Sequence, residues 1–316
     1  LMGSMIKMSK NAYHITILLI TMLLYTGCTS KQMFAMAMAS ERSNAGLKKK
    51  SMTLDFGKMV YLENDVKSET TLVLVHGFGG SKDNWNRMVA LWGGKYHVIA
   101  PDLPGHGESA SIKELGYTTT QQAQRLESFL KAKKVNNIHL VGHSMGGAIA
   151  LRYVKNNTEN VKSLILIDAM GMHQTKSDGD VLVEKSEKNP LYDVCTNERF
   201  ETLVNYSMYR SSHIPAMFKE VMFQDKCERK ALEKILYEGM YQDVKLDDIA
   251  RNITVPTLII WGEKDRIIHP DNGRLLHGTI KKSQLVILKE IGHIPLLEDP
   301  EKTADTIDSF LEQIDQ

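Results

Sequence analysis

The chain has 316 residues, 42% of them apolar and 24% charged, with 39 Lys and Arg against 38 Asp and Glu. That apolar share can bury a sizeable core, which excludes disordered, collagen-like and low-complexity chains. A net charge of +1 offers no broad basic face for nucleic acid. Three Cys cannot build a disulfide scaffold, and the length fits one large α/β unit or two small domains.

Leu1-Met2-Gly3-Ser4 reads as a non-native leader ahead of Met5. Lys7 and Lys10 follow, then an apolar stretch over residues 15–24, then Tyr25-Thr26-Gly27-Cys28. These are the parts of a secretory signal, and the apolar stretch is shorter than the roughly 20 residues that span a bilayer. The Thr-Gly-Cys ending resembles a bacterial lipobox, with Tyr25 where Leu is usual. The resemblance implies that residues 1–27 are removed and that Cys28 is acylated. Residues 28–50 would then form a polar tether to a membrane, and Thr29 after the Cys favours the outer one. Plain secretion and an uncleaved anchor are the alternatives.

From residue 51 short apolar runs alternate with helical patterns, as in βαβ units around a mostly parallel sheet. Strands are expected at 71–75, 98–100, 138–141, 161–167, 257–260 and 285–288. They lack in/out alternation, as strands covered on both faces should. Segments 52–56 and 58–62 read as an antiparallel hairpin. Helices are expected at 82–91, 119–131, 145–155, 273–280 and 300–313. The rhythm breaks over 171–250, which is too long for a loop and rich in Met, Tyr and Phe. It is expected to be a helical cap inserted between core segments 51–170 and 251–316.

Gly142-His143-Ser144-Met145-Gly146 follows a strand and precedes a small-residue helix, the strand–turn–helix setting of a G-x-S-x-G nucleophile elbow. Its glycines are needed because side chains in so sharp a turn would strike the neighbouring backbone. The alternative is a tight turn with an ordinary serine. A serine hydroxyl needs an oriented base. His293 follows the strand at 285–288, and Asp265 follows the strand at 257–260, so both fall at the edge where Ser144 would project. The order Ser144, Asp265, His293 matches neither protease arrangement. Asp168, ending the strand at 161–167, and Glu263 are the competing acids.

His76-Gly77-Phe78-Gly79-Gly80 ends the strand at 71–75, and its glycines let a backbone N–H turn toward Ser144. The Phe78 and Met145 N–H groups are the expected oxyanion donors, with both residues also expected to touch substrate. His76 is expected to hold this turn by hydrogen bonds. His139 and His143 straddle a strand and an elbow and are not read as a metal pair.

Together, residues 76–85, Asp102-Leu-Pro-Gly-His-Gly-Glu-Ser109, Gly142-His-Ser-Met-Gly-Gly147, Trp261-Gly-Glu-Lys-Asp-Arg266 and Gly292-His293 resemble the α/β-hydrolase superfamily over residues 51–316. The block at 76–85 and Asn189-Pro-Leu191 resemble its monoacylglycerol-lipase-like branch, which includes lipases with a lipoprotein signal. The resemblance implies a mostly parallel sheet flanked by helices, and serine ester hydrolysis through Ser144, His293 and Asp265 with no metal or organic cofactor. Phe200, Leu203, Val204, Tyr206, Met208, Tyr209, Met217, Phe218, Val221, Met222 and Phe223 would give the cap soft apolar surface, which favours fatty-acyl esters such as monoacylglycerols. Arg210 and Lys219 read as solvated surface charge or as contacts to an anionic group. Cys195 and Cys227 would bridge in an oxidising compartment and stay free in the cytosol. A carbon–carbon bond hydrolase, a perhydrolase, an aminopeptidase or a non-catalytic ligand-binding lipoprotein remain open.

Overall fold

The computed structural model describes residues 29–172, 175–186, 188–210 and 214–314. Cys28 and the segment before it lie outside the described residues, so the signal and acylation expectations do too. No helix among the described residues is long and apolar enough to cross a membrane.

The strands are β1 (Lys48–Leu54), β2 (Gly57–Glu63), β3 (Thr71–Val75), β4 (His97–Pro101), β5 (Ile138–His143), β6 (Val161–Ile167), β7 (Thr257–Gly262) and β8 (Ser283–Leu288). They form one sheet in the order β1-β2-β4-β3-β5-β6-β7-β8. The β1–β2 hairpin is antiparallel and joins β4 antiparallel, and every pair from β4 through β8 is parallel. Strand β5 sits near the middle, and all six of its residues are buried. Its lack of alternation follows from its cover. On one face lie Leu126, Phe129 and Ala148, and on the other Trp85, Met88 and Phe310. Each fully buried Leu, Ile or Phe contributes roughly 1.5–3 kcal/mol, so this doubly covered sheet is the rigid frame that carries the loops at its carboxyl edge.

The helical expectations hold with small shifts. Residues 82–91 divide into a 3-10 turn, Lys82–Trp85, and the helix Asn86–Leu91, and the others run Thr119–Lys133, Met145–Asn156, Asp271–Thr279 and Pro300–Ile314. The inserted segment carries helices Asp178–Lys185, Asn197–Ser207 and Ala216–Tyr241. A bridge between Cys195 and Cys227, Cα atoms 5.2 Å apart, ties the start of the second to the third.

The stretch read as a polar tether differs most. Ser30–Asn44 is a helix, opened by a capping box in which Thr29 and Gln32 satisfy each other's N–H groups. Arg42 forks onto Asp83 at 2.5 and 2.8 Å, and Phe34 meets Phe218 of the cap edge-on at 5.3 Å. Tertiary contacts of this kind stabilise a helix whose Met- and Ala-rich sequence shows no strong apolar stripe.

Candidate active site

Ser144 stands between β5 and the helix Met145–Asn156 with φ 53° and ψ −119°, a conformation that a side-chain-bearing residue adopts only under constraint. The constraint is visible. Its N–H donates to Ile167 O at 3.0 Å, and its carbonyl accepts from Gly147 and Met170 N–H at 2.9 and 3.0 Å. A Cβ on Gly146 would lie 2.2 Å from Val75 O, and one on Gly142 would lie 2.4 Å from Gly146 O. Only glycine permits so close an approach of helix, elbow and β3.

The structure brings the three expected residues together. His293 Nε2 lies 3.0 Å from Ser144 Oγ, and His293 Nδ1 lies 2.8 Å from Asp265 Oδ2. The hydrogen-bond network assigns the proton to Nδ1, since a carboxylate can only accept, which leaves Nε2 to accept from the serine hydroxyl. Asp265 Oδ1 accepts from Ile267 and Ile268 N–H at 2.8 and 2.9 Å, which fixes the carboxylate facing the imidazole. All three side chains are buried.

The competing acids are placed differently. Glu263 is exposed and pairs with Lys264, and the Glu290 N–H holds its carboxyl below the usual range. Asp168 is fully buried at the end of β6, with Oδ1 accepting from Gly262 N–H at 2.9 Å. Asp168, Asp265 and His293 bring ligand-type atoms within 4.8 Å of one another. Both His293 nitrogens already serve Ser144 and Asp265, so the group reads as a hydrogen-bond relay rather than a cation site.

At the turn after β3, Gly77 packs so tightly that a Cβ there would lie 2.9 Å from His143 Nδ1 and 3.0 Å from Ser144 Cβ. Gly80 N–H closes the turn onto Gly77 O at 3.1 Å, and Gly79 supplies a φ of +65°. His76 donates from Nδ1 to Gly77 O at 2.8 Å and accepts the Leu103 N–H on Nε2 at 3.0 Å, so it is a neutral brace for the turn. Met145 opens its helix, where a backbone N–H has no intrahelical acceptor. The Phe78 ring is covered edge-on by Tyr237 at 5.9 Å, with the Lys226 ammonium 5.6 Å from its centroid.

Several positioning residues escaped the sequence reading. His143, the variable letter of the elbow motif, donates from Nε2 to His293 O at 2.8 Å. Burial, with the nearby His293 ring, pushes its pKa down to about 3. Glu298 accepts from Gly292 N–H at 2.8 Å and from Arg210 N–H at 2.9 Å, and His293 N–H donates to Ser207 O at 2.9 Å. The cap is thereby wired to the histidine loop. Tyr192, Tyr237 and Tyr241 form a chain of ring contacts at 5.3 and 4.7 Å. The i, i+4 spacing of the last two was the only available signal.

Of the apolar cap residues, Phe200, Val204, Met208 and Val221 are buried, the first two with Val194 in a small core of the cap's own, whereas Tyr209 and Met222 are exposed. Arg210 and Lys219 pair with Glu290 and Glu201. A second serine–histidine contact, His139 Nδ1 to Ser163 Oγ at 2.8 Å, lies wholly inside the sheet on β5 and β6 and presents no face to a substrate.

Fold and site together define a hydrolase with a strained serine, an imidazole and a carboxylate on loops at the carboxyl edge of a mostly parallel sheet. Residues 72–306 match the Alpha/beta hydrolase family, and the chain belongs to it. It is 37% identical to Lipase 1 of Psychrobacter immobilis over 85% of this chain and 86% of that one. Monoacylglycerol lipase ABHD6 of Homo sapiens is 26% identical, covering 77% of this chain and 76% of its own. Among solved structures, a membrane phospholipase A superposes with a TM-score of 0.85 at 33% identity, covering 98% of this chain and 100% of that one. The chain is a hydrolase of the lipase and esterase type.

Proposed function

We propose that this enzyme hydrolyses fatty-acyl carboxylic esters, acylglycerols foremost, by two-step acyl transfer through Ser144, His293 and Asp265. The observation that carries the proposal is the position of one imidazole, 3.0 Å from the Ser144 hydroxyl and 2.8 Å from the Asp265 carboxylate. As Ser144 Oγ attacks the ester carbonyl, its proton passes to His293 Nε2, and Asp265 holds the tautomer and stabilises the imidazolium. The negative charge that develops on the carbonyl oxygen is met by the Phe78 and Met145 N–H groups, each worth roughly 10²–10³ in rate. The alcohol leaves with the proton from His293, and water repeats the sequence on the acyl-enzyme.

The lipase relatives and the aromatic cover over Phe78 support a long apolar acyl group. The solved membrane phospholipase A favours glycerophospholipids as a second class of ester. The basic, apolar and Thr-Gly-Cys28 segments support a location in the cell envelope, with the enzyme held at a lipid surface. The test is a panel of monoolein, a phosphatidylcholine, p-nitrophenyl butyrate, a peptide amide and a vinylogous diketone, assayed with wild type and Ser144→Ala. Preference for monoolein that is lost in the variant supports the proposal. Preference for the amide or the diketone, or activity surviving the substitution, contradicts it.

A further inference from the structure

Asp168 and Asp265 end adjacent parallel strands, β6 and β7, and their carboxyl groups meet behind His293. Asp168 is 0% exposed and Asp265 5%. Asp168 Oδ1 is satisfied by Gly262 N–H, but no hydrogen-bond donor among the described residues faces Oδ2. A buried oxygen with no partner is unfavourable, and a second buried negative charge beside Asp265 is more so. One proton removes both penalties. A neutral Asp168 becomes a donor, and the neighbour that can accept from it is the Asp265 carboxylate.

We propose that Asp168 is a positioning residue that keeps its proton and donates it to Asp265, so that the two carboxyl groups carry one negative charge between them. Burial first, then the charge of Asp265, raises the Asp168 carboxyl well above the ordinary range, and only the Gly262 N–H opposes them strongly. The charged groups facing it are Asp265, His293 and the half-buried Glu298. The consequence is a relay of four side chains. Asp168 orients Asp265 and draws off part of its charge, Asp265 orients His293, and His293 serves Ser144. The backbone of Asp168 lies at φ 44°, a left-handed conformation that Asp and Asn tolerate best, so the chain pays a local strain to aim this acid inward.

This inference rests on the roles proposed for Ser144, His293 and Asp265. Asn at position 168 keeps both the acceptor for Gly262 and a donor for Asp265, and it suits the left-handed backbone. Asp168→Ala removes the donor. The expected result is at least a tenfold loss of kcat in Asp168→Ala with KM little changed, and rescue in Asp168→Asn to within about threefold with the acid limb of the pH–rate profile in place. A charged Asp168 would give the opposite, since its loss in Asp168→Asn would lower the basicity of His293 and move the acid limb to lower pH. That shift, or equal activity in both variants, overturns the proposal. If Asp168→Ala fails to fold, Asp168→Asn and infrared spectroscopy decide. The carbonyl stretch of a buried protonated carboxyl should be present in wild type at neutral pH and absent from Asp168→Asn. Its absence from wild type also overturns the proposal. The band should persist in Ser144→Ala, so a failure of the proposed ester chemistry is distinguishable from a failure of the carboxyl pair.

Discussion

His143 donates from Nε2 to the backbone carbonyl of His293, so the residue before Ser144 anchors the loop that carries His293. The two loops are thereby held in one frame. Replacing His143 with Ala leaves that carbonyl buried without a partner and opens a space against Gly77. The expected outcome is a kcat lowered by about 10- to 100-fold at unchanged KM, which corresponds to about 1–3 kcal/mol. Steady-state kinetics on a soluble short-chain ester check it.

Glu298 joins the cap to the same loop through Gly292 and Arg210 N–H. Glu298→Ala deletes both bonds, and hydrogen bonds to a charged group are worth roughly 1.5–3 kcal/mol each before relaxation. We expect a loss of about 2 kcal/mol in urea unfolding and faster amide exchange at residues 207–210 and 292–293, measured by hydrogen–deuterium exchange. Unchanged exchange there would contradict the latch.

Much of this site was legible because its chemistry dictates its spacing. Gly142 and Gly146 flank Ser144 because a Cβ at the first would lie 2.4 Å from the helix at Gly146 O and one at the second 2.2 Å from β3 at Val75 O, and that requirement is written in the sequence as a motif. Asp265 and His293 were legible because each follows an apolar run that the sheet covers on both faces. Asp168 was noticed as a competing acid, but its meeting with Asp265 was not readable, since it depends on β6 and β7 being neighbours. The helix Ser30–Asn44 was missed because contacts from Asp83 and Phe218, distant in the chain, stabilise it. Glu298 was missed because its partners are backbone N–H groups, which leave no mark on composition.

Acid should destabilise the fold before it titrates the carboxylates. His76, His106 and His143 are all fully buried, and burial lowers all three pKa values, that of His143 to about 3. The unfolded chain takes up these protons near pH 6.5 and the folded one does not, so stability falls as pH drops below about 6.5, by up to about 1.4 kcal/mol per pH unit for each histidine. Asp168 and Glu298, whose pKa values are raised, offset part of this slope. His106 is the residue to test, because its Nε2 is buried without a hydrogen-bond partner among the described residues. His106→Leu should lose less stability than wild type between pH 7.5 and 5.5 in urea titrations. An unchanged slope would show that His106 takes up its proton in the fold as readily as in the unfolded chain, which contradicts this prediction.

Gly146→Ala is expected to abolish folding rather than only activity, because the added methyl would meet the backbone oxygens of Val75 and His76 at 2.2 and 2.6 Å. Insoluble or protease-sensitive protein is the expected result. A soluble variant with the wild-type circular dichroism spectrum would contradict this close approach of the elbow to β3.

The most direct test of the central claim is to map where a fluorophosphonate reacts. An activated serine hydroxyl displaces fluoride and forms a P–O bond, so mass spectrometry of the digested protein should find the adduct on the peptide containing Ser144 and on no other. Labelling should fall by at least about 10³-fold in His293→Ala. An adduct on a different serine, or labelling of Ser144 that proceeds at the wild-type rate without His293, would contradict the account.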